Sequence, residues 1–214
     1  MKIVSVNVGL PRDVVWKDIT VQTAIFKEPV AGVVAIRELN LAGDLQADLT
    51  VHGGSEKAVY AYPAEHYEYW RKQLSGVSLS WGAFGENLTT AGLWEDTLCI
   101  GDLLRVGSAV LQITQPRMPC YKLQLRFNRD DMIKRLLVSG RSGFYFSVLD
   151  PGDVGAGSKV EVLDRDPHSV TVADITSLYL GQRRDPELLQ RAMNGTSLPK
   201  NWKTQLLLRA QNQV

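Results

Sequence analysis

At 214 residues, with 44% apolar and 22% charged side chains, the chain has the composition of a folded protein with one good-sized core, which excludes an extended disordered chain. Lys and Arg (24) nearly balance Asp and Glu (23), so a net charge of +1 gives no global field for a nucleic-acid polymer, and any charged site must be local. Two cysteines are too few for a disulfide framework, and no apolar run approaches the roughly 18 residues of a membrane span or builds a signal-peptide core, so a soluble cytoplasmic protein is expected.

The opening is β-rich. Ile3, Val4, Val6 and Val8 mark a buried strand that stops at Gly9-Leu10-Pro11; Ile19 to Phe26 alternates apolar and polar residues, and Val33 to Leu39 offers a further strand. Next, Asp48 to Lys57 leads into a strand-like run, Ala58 to Tyr62, halted by Pro63. Within it, Gly53-Gly54 permits positive φ and a close approach of backbone amides to a ligand, flanked by His52 and Lys57; a plain tight turn is the competing reading. Tyr67, Trp70 and Leu74 recur at helical spacing and predict a helix over Ala64 to Leu74. Trp81 to Gly92, with three glycines and Glu86, Asn87, Thr89 and Thr90, reads as a long surface loop rich in hydrogen-bonding groups.

Three short strands follow, Thr97 to Ile100, Leu103 to Val106 and Ala109 to Thr114. Cys99, between Leu98 and Ile100, reads as a small buried apolar residue. The third strand delivers the chain to Gln115–Arg126, where Pro116 should end the strand and Pro119 hold an extended loop that presents Cys120. Asn128 could cap a helix running through Val138, and Gly140 to Gly143 breaks it. Phe144 to Leu149 and Lys159 to Leu163 are predicted strands joined by a turn-rich loop. That loop does not bind phosphate in the manner of a P-loop, because Gly157-Ser158-Lys159 reverses the required order and no helix follows. Val172 to Tyr179, Pro186 to Met193 and Pro199 to Ala210 predict three helices. The expected organisation is a main domain over residues 1–163 and a helical segment over 166–214, docked on the main domain or on a second copy in a homodimer.

The chemistry concentrates around Cys120. Residues 115–141 hold seven basic side chains against two acidic ones in an otherwise balanced chain. Lys134 and Arg135 fit a solvated helix face, whereas Arg117, Lys122 and Arg141 border loops and suit an anion, since guanidinium can grip phosphate oxygens bidentately. Cationic neighbours favour the thiolate, which serves as a nucleophile or a soft-metal ligand. The histidines His52, His66 and His168 have no metal-ligand spacing, no paired-cysteine zinc pattern exists, and a Cys120–His52 protease-like pair rests on residue type alone.

Three stretches in order, Val51 to Tyr62, Gly82 to Thr90 and Thr114 to Leu123, closely resemble the MOSC domain, the family named for the C-terminal domain of molybdenum cofactor sulfurases. The resemblance spans roughly residues 1–163, and the trailing helices resemble the three-helix extension of bacterial YiiM-type members. It implies a mainly β fold with α elements, a MOSC-type β-barrel followed by the small three-helix segment. In enzymatic members, including the mitochondrial amidoxime-reducing component, molybdenum is held by a pterin dithiolene and one protein cysteine, and N-hydroxylated compounds such as 6-hydroxylaminopurine and amidoximes are reduced. Cys120 matches that cysteine, as metal ligand and catalytic residue.

Carried onto this chain, the resemblance implies cofactor binding by His52, Gly53, Gly54, Lys57, Glu86, Asn87, Thr89, Arg117, Lys122 and Arg141. Asp102, Glu86 and His52 are candidate acids. No cysteine cluster for an iron–sulfur centre and no flavin fingerprint occur, so electrons should come from a separate reductase. The competing expectation is a molybdenum cofactor or sulfur carrier that uses Cys120 without reductive turnover.

Overall fold

The computed structural model describes residues 1–47 and 53–211. The first five strands are β1 (Lys2–Val8), β2 (Arg12–Trp16), β3 (Ile19–Thr23), β4 (Glu28–Val30) and β5 (Val33–Ile36). A 3-10 turn at Ser55–Lys57 leads into β6 (Val59–Pro63), α1 (Glu65–Gln73) and β7 (Leu88–Ala91), then β8 (Leu103–Val106) and β9 (Ala109–Pro116). The remainder is α2 (Tyr121–Phe127), α3 (Met132–Ser139), β10 (Phe144–Asp150), β11 (Gly152–Gly155), β12 (Val160–Asp164), α4 (Val172–Tyr179), α5 (Pro186–Asn194) and α6 (Lys200–Gln211).

The protein is mixed α/β and mostly sheet. Eight strands form one sheet in the order β12-β8-β9-β10-β6-β7-β1-β4, antiparallel except for the parallel β6–β7 pair; β5 with β11 and β2 with β3 make two ribbons. The described sheet does not close into the expected barrel. β4 has three residues and covers only the Val6–Val8 half of β1. At the other half an isolated Lys2–Lys159 bridge and the N–H of Ile3 donating to Ser158 O (2.9 Å) draw the start of β12 alongside without a continuous ladder.

Several boundaries differ from the sequence expectation for identifiable reasons. The stretch expected as a polar surface loop contains β7, a buried strand, in which Thr89 is paired inside: its Oγ1 accepts from Asn7 Nδ2 at 3.0 Å and donates to Glu86. The strand expected at Thr97–Ile100 is a turn, closed by the amides of Thr97 and Leu98 on Trp94 O (both 3.1 Å), with Cys99 alone bridging Thr171. The loop expected after Pro119 becomes α2 at once, and Asn128 does not start α3. It ends α2 in the left-handed region (φ 49°), and Asp131 precedes α3. Ile19–Phe26 stops pairing at Thr23, Val33–Leu39 at Ile36, and the turn-rich loop after Asp150 contains β11.

Two apolar clusters fill the interior. The larger joins the sheet, through residues such as Ile113 and Phe146, to Val172 and Ile175 of α4, Leu188 of α5, and Trp202 and Leu206 of α6. The smaller is aromatic: Tyr62, Tyr67, Trp70 and Phe84 pack with Leu123 and Phe127 of α2. Rings of Tyr62 and Phe84 stack at 4.6 Å between centroids, and the Trp70 indole N–H donates to Tyr62 Oη (2.6 Å), so the buried polar tips are satisfied. Cys120 and the start of α2 lie where β9 leaves the first cluster and α2 enters the second.

A single carboxylate organises the turn before β7. Glu86 is fully buried; Oε1 accepts from Tyr67 Oη (2.5 Å), Gly82 N (2.8 Å) and Thr89 Oγ1 (2.9 Å), and Oε2 accepts from Phe84 N (3.1 Å). Burial raises its pKa, and these donors pull in the opposite direction. Glu86→Gln removes the acceptor facing Phe84 N and puts an amide donor there, so a loss of about 1–3 kcal/mol is expected by chemical denaturation. An unchanged unfolding midpoint would show that this carboxylate does not hold the turn.

Candidate cofactor site

A cleft of about 690 Å³ opens where the chain leaves β9. Four separate segments reach it besides the sheet: Thr23–Lys27 after β3, Asp44–Ala47, the Gly53–Lys57 turn and Phe84–Asn87. Arg117, Cys120 and Lys122 supply the wall between β9 and α2, while Tyr60 of β6 and Tyr145 of β10 supply the sheet side.

Arg117 is the most constrained of these groups. It follows Pro116, the last paired residue of β9, and its N–H donates to Gly143 O at 3.2 Å. The residue is 5% exposed, and its guanidinium lies 5.6 Å from the Tyr60 ring centroid. Burial opposes its charge, but Tyr60, Tyr145 and Cys120 together hold its pKa above the ordinary value. Both phenols are pushed up by burial, with Arg117 pulling the other way. Among the described residues, Arg117 Nη1 is buried without a hydrogen-bond partner. A buried cationic donor left unpaired is costly, and an anion in the cleft would satisfy it.

Cys120 immediately precedes α2 with extended backbone (φ −124°, ψ 172°) and is half-buried as a thiol. Lys122, in the first turn of α2, is buried and faces the same cleft, and Lys57 lines it from the glycine turn. Gly53 and Gly54 have φ values of 144° and 86°, the left-handed side of conformational space that glycine adopts without strain, and Gly53 lines the cleft.

A second polar centre completes the wall. Asp44 is buried and accepts from Lys27 Nζ, from Gly9 N (2.8 Å) and from Asn87 Nδ2 (2.8 Å); Asn87 Oδ1 in turn accepts from Tyr60 N (3.1 Å). Burial lowers the pKa of Lys27, and Asp44 opposes that shift. The described lining thus carries four basic side chains, Lys27, Lys57, Arg117 and Lys122, against the carboxylate of Asp44.

Of the residues expected from the sequence, Cys120, Gly53, Lys57, Asn87, Arg117 and Lys122 meet in this cleft, and Gly54 adjoins it. His52 lies outside the described residues. Glu86 and Thr89 turn away into the buried network below the cleft, and Arg141 stacks over Tyr69 (4.0 Å to the ring centroid) with Nη1 on Ser139 O. Among the candidate acids, Asp102 is spent elsewhere, accepting from Cys99 N (2.9 Å), Arg165 Nη1 (2.6 Å) and Asp166 N (3.0 Å). Cys99 beside it is pushed up to about 11 by burial and by Asp102, which keeps it a thiol at neutral pH. Lys27, Asp44, Tyr60 and Tyr145 were not expected from the sequence. Lys27 is a lone Lys after Ile25-Phe26 and Asp44 a lone Asp after Gly43, which no motif distinguishes from surface charge.

Among the described residues no three His, Cys, Asp or Glu side chains cluster to hold a metal ion by themselves. A metal here would need ligands from a cofactor. The donor set fits that case: one thiol, an unpaired guanidinium nitrogen, three lysines and a glycine turn suit a soft metal carried on an anionic organic group. No described helix is long and apolar enough to cross a membrane.

Known proteins resemble this chain in sequence and fold. A model of the MOSC domain family covers residues 48–161, which takes in the glycine turn, the Glu86–Thr89 segment and Cys120. "Uncharacterized protein YflK" of Bacillus subtilis (strain 168) is 38% identical over 205 residues, 96% of this chain and 92% of that protein. A protein named "Reductase" from Gibberella moniliformis (strain M3125 / FGSC 7600) is 36% identical over 152 residues, 68% of this chain and 26% of its own length. The crystal structure of YiiM from Geobacillus stearothermophilus superposes with a TM-score of 0.80 at 33% identity and covers 98% of each chain. The chain belongs to the MOSC domain family.

Proposed function

We propose that the cleft binds the molybdenum cofactor with Cys120 as the protein ligand to the metal, and that the protein reduces N-hydroxylated compounds such as 6-hydroxylaminopurine or amidoximes. The observation that carries this reading is Arg117, buried in the cleft wall beside the thiol with a nitrogen that has no partner among the described residues. Membership of the MOSC family and the name of the Gibberella relative support an oxidoreductase.

In this reading Cys120 supplies the thiolate, favoured by the surrounding cations. Arg117, Lys57 and Lys122 hold the anionic part of the pterin, Gly53 and Gly54 offer backbone amides, and Lys27 with Asp44 and Asn87 fixes the opposite wall. When bound, the cofactor supplies two-electron chemistry that cleaves the substrate N–O bond, the oxygen leaving as water with two protons. Electrons come from a separate reductase. Residues 1–163 form the cofactor-binding unit, 166–214 form the helical extension, and the protein works in the cytoplasm.

Protein produced in a cofactor-competent host should contain stoichiometric molybdenum by elemental analysis and reduce 6-hydroxylaminopurine with a supplied electron donor. Cys120→Ala should lose both metal and turnover. Metal-loaded wild type that reduces no N-hydroxylated compound would leave a binding or carrier protein, and labile sulfane sulfur on Cys120 without molybdenum would make it a sulfur carrier.

Arg117→Met should lower cofactor affinity about ten- to a hundredfold, the worth of one or two charge-assisted hydrogen bonds, read as molybdenum retained after dialysis. Retention equal to wild type would remove Arg117 from the cofactor site.

A further inference from the structure

The C-terminal helices connect to the turn that borders the cleft through Trp202 and Gln115. Trp202 of α6 is 6% exposed, packed against the Tyr179 ring of α4 at 5.2 Å, and its indole N–H donates to Gln115 Oε1 at 2.5 Å. Gln115 lies in β9, is 2% exposed, and its Nε2 donates to the backbone carbonyl of Glu56 at 3.0 Å. The adjacent Thr114 hydroxyl lies 2.7 Å from the same carbonyl and 3.1 Å from Tyr145 O, and its one proton can serve either. Glu56 is the middle residue of the Ser55–Lys57 turn, closed by Lys57 N donating to Gly54 O (3.0 Å), and Gly53 and Lys57 line the cleft.

The polarity of this chain of contacts is fixed at both ends. An indole N–H can only donate and a backbone carbonyl can only accept, so the Gln115 amide presents its oxygen to Trp202 and its NH₂ to Glu56. Without the indole N–H the buried Gln115 oxygen loses its Trp202 donor, and the side chain is held less firmly in the place from which it reaches Glu56 O. None of the turn's residues is buried, and two glycines with positive φ precede it. The tethers to the Glu56 carbonyl are among the contacts that place it, and α6 controls one of them.

We infer that Trp202 is a positioning residue: through Gln115 it sets the Gly53–Lys57 turn, and the C-terminal helices thereby govern how firmly the cleft keeps its anionic ligand. The part of this that concerns the ligand rests on the cofactor reading above; the part that concerns the turn does not.

Trp202→Phe in the full chain keeps the ring packing and removes only the N–H. Hydrogen exchange followed by mass spectrometry on the protein without added cofactor should show amides 53–58 exchanging about fivefold faster, the loss expected for one hydrogen bond. Peptides from α1 and β10 should be unchanged. Thr114→Val, which removes the other donor to Glu56 O without touching α6, should accelerate the same peptide. In cofactor-loaded protein, Trp202→Phe should release molybdenum about fivefold faster on dialysis, with the KM for 6-hydroxylaminopurine unaltered. Exchange of 53–58 at the wild-type rate in Trp202→Phe overturns the inference whether or not molybdenum is bound. Faster exchange with unchanged metal release overturns the claim that the turn governs retention. Wild type that never carries molybdenum defeats the cofactor reading and leaves the exchange result to decide the relay.

Discussion

The burial of Arg117 is the constraint on which the cleft depends. A guanidinium removed from water loses several kcal/mol of hydration, on the order of what a whole small domain has to spare, unless charge and hydrogen bonds replace it. Here the replacement is incomplete. The Tyr60 face and the Tyr145 phenol supply part of it, and Nη1 is left without a partner among the described residues. The backbone that holds this arrangement is itself tied down, because Gly143, which accepts from Arg117 N, donates its own N–H to Glu95 at 2.8 Å, and Glu95 also pairs with buried His66 of α1. The protein thus invests several elements in holding a cation in an unsatisfied position, which is the behaviour of a ligand site.

Around that cation the walls come from segments far apart in sequence, and two buried carboxylates bring them together. Asp44 gathers Gly9, Lys27 and Asn87; Glu86 gathers Tyr67, Gly82, Phe84 and Thr89. Neither network is apolar, so both are specific: each acceptor oxygen has few places to go, and displacing one segment strands donors on the others. The result is a rim of loops whose geometry is determined by buried charge, with the aromatic cluster beneath supplying the bulk packing.

The sequence made the centre of this site legible and its periphery opaque. Gln115–Arg126 stood out because two prolines, a thiol and several cations coincide, and the structure places Arg117, Cys120 and Lys122 in one wall. The roles of Glu86 and Asn87 were not separable, since they are adjacent, equally polar, and point in different directions once β7 is buried. That burial was itself hidden: Thr89 and Thr90 look like loop residues until Asn7 and Glu86 are seen to satisfy Thr89 from neighbouring segments. Lys27 and Asp44 carry no motif, and their function as a buried pair exists only through long-range folding. Helix α2 and strand β11 were too short for periodicity to reveal, whereas α1, α4, α5 and α6, with apolar stripes and, for α4 and α5, side-chain caps, were readable within a residue or two.

The central claim is that Cys120 and the buried Arg117 jointly define a metal-cofactor cleft. X-ray absorption at the molybdenum edge, on wild type and Cys120→Ser made in a cofactor-competent host, tests it most directly. The account predicts molybdenum in the wild type with a sulfur scatterer that the variant lacks. Identical sulfur coordination in the two proteins, or wild type without molybdenum, would contradict it.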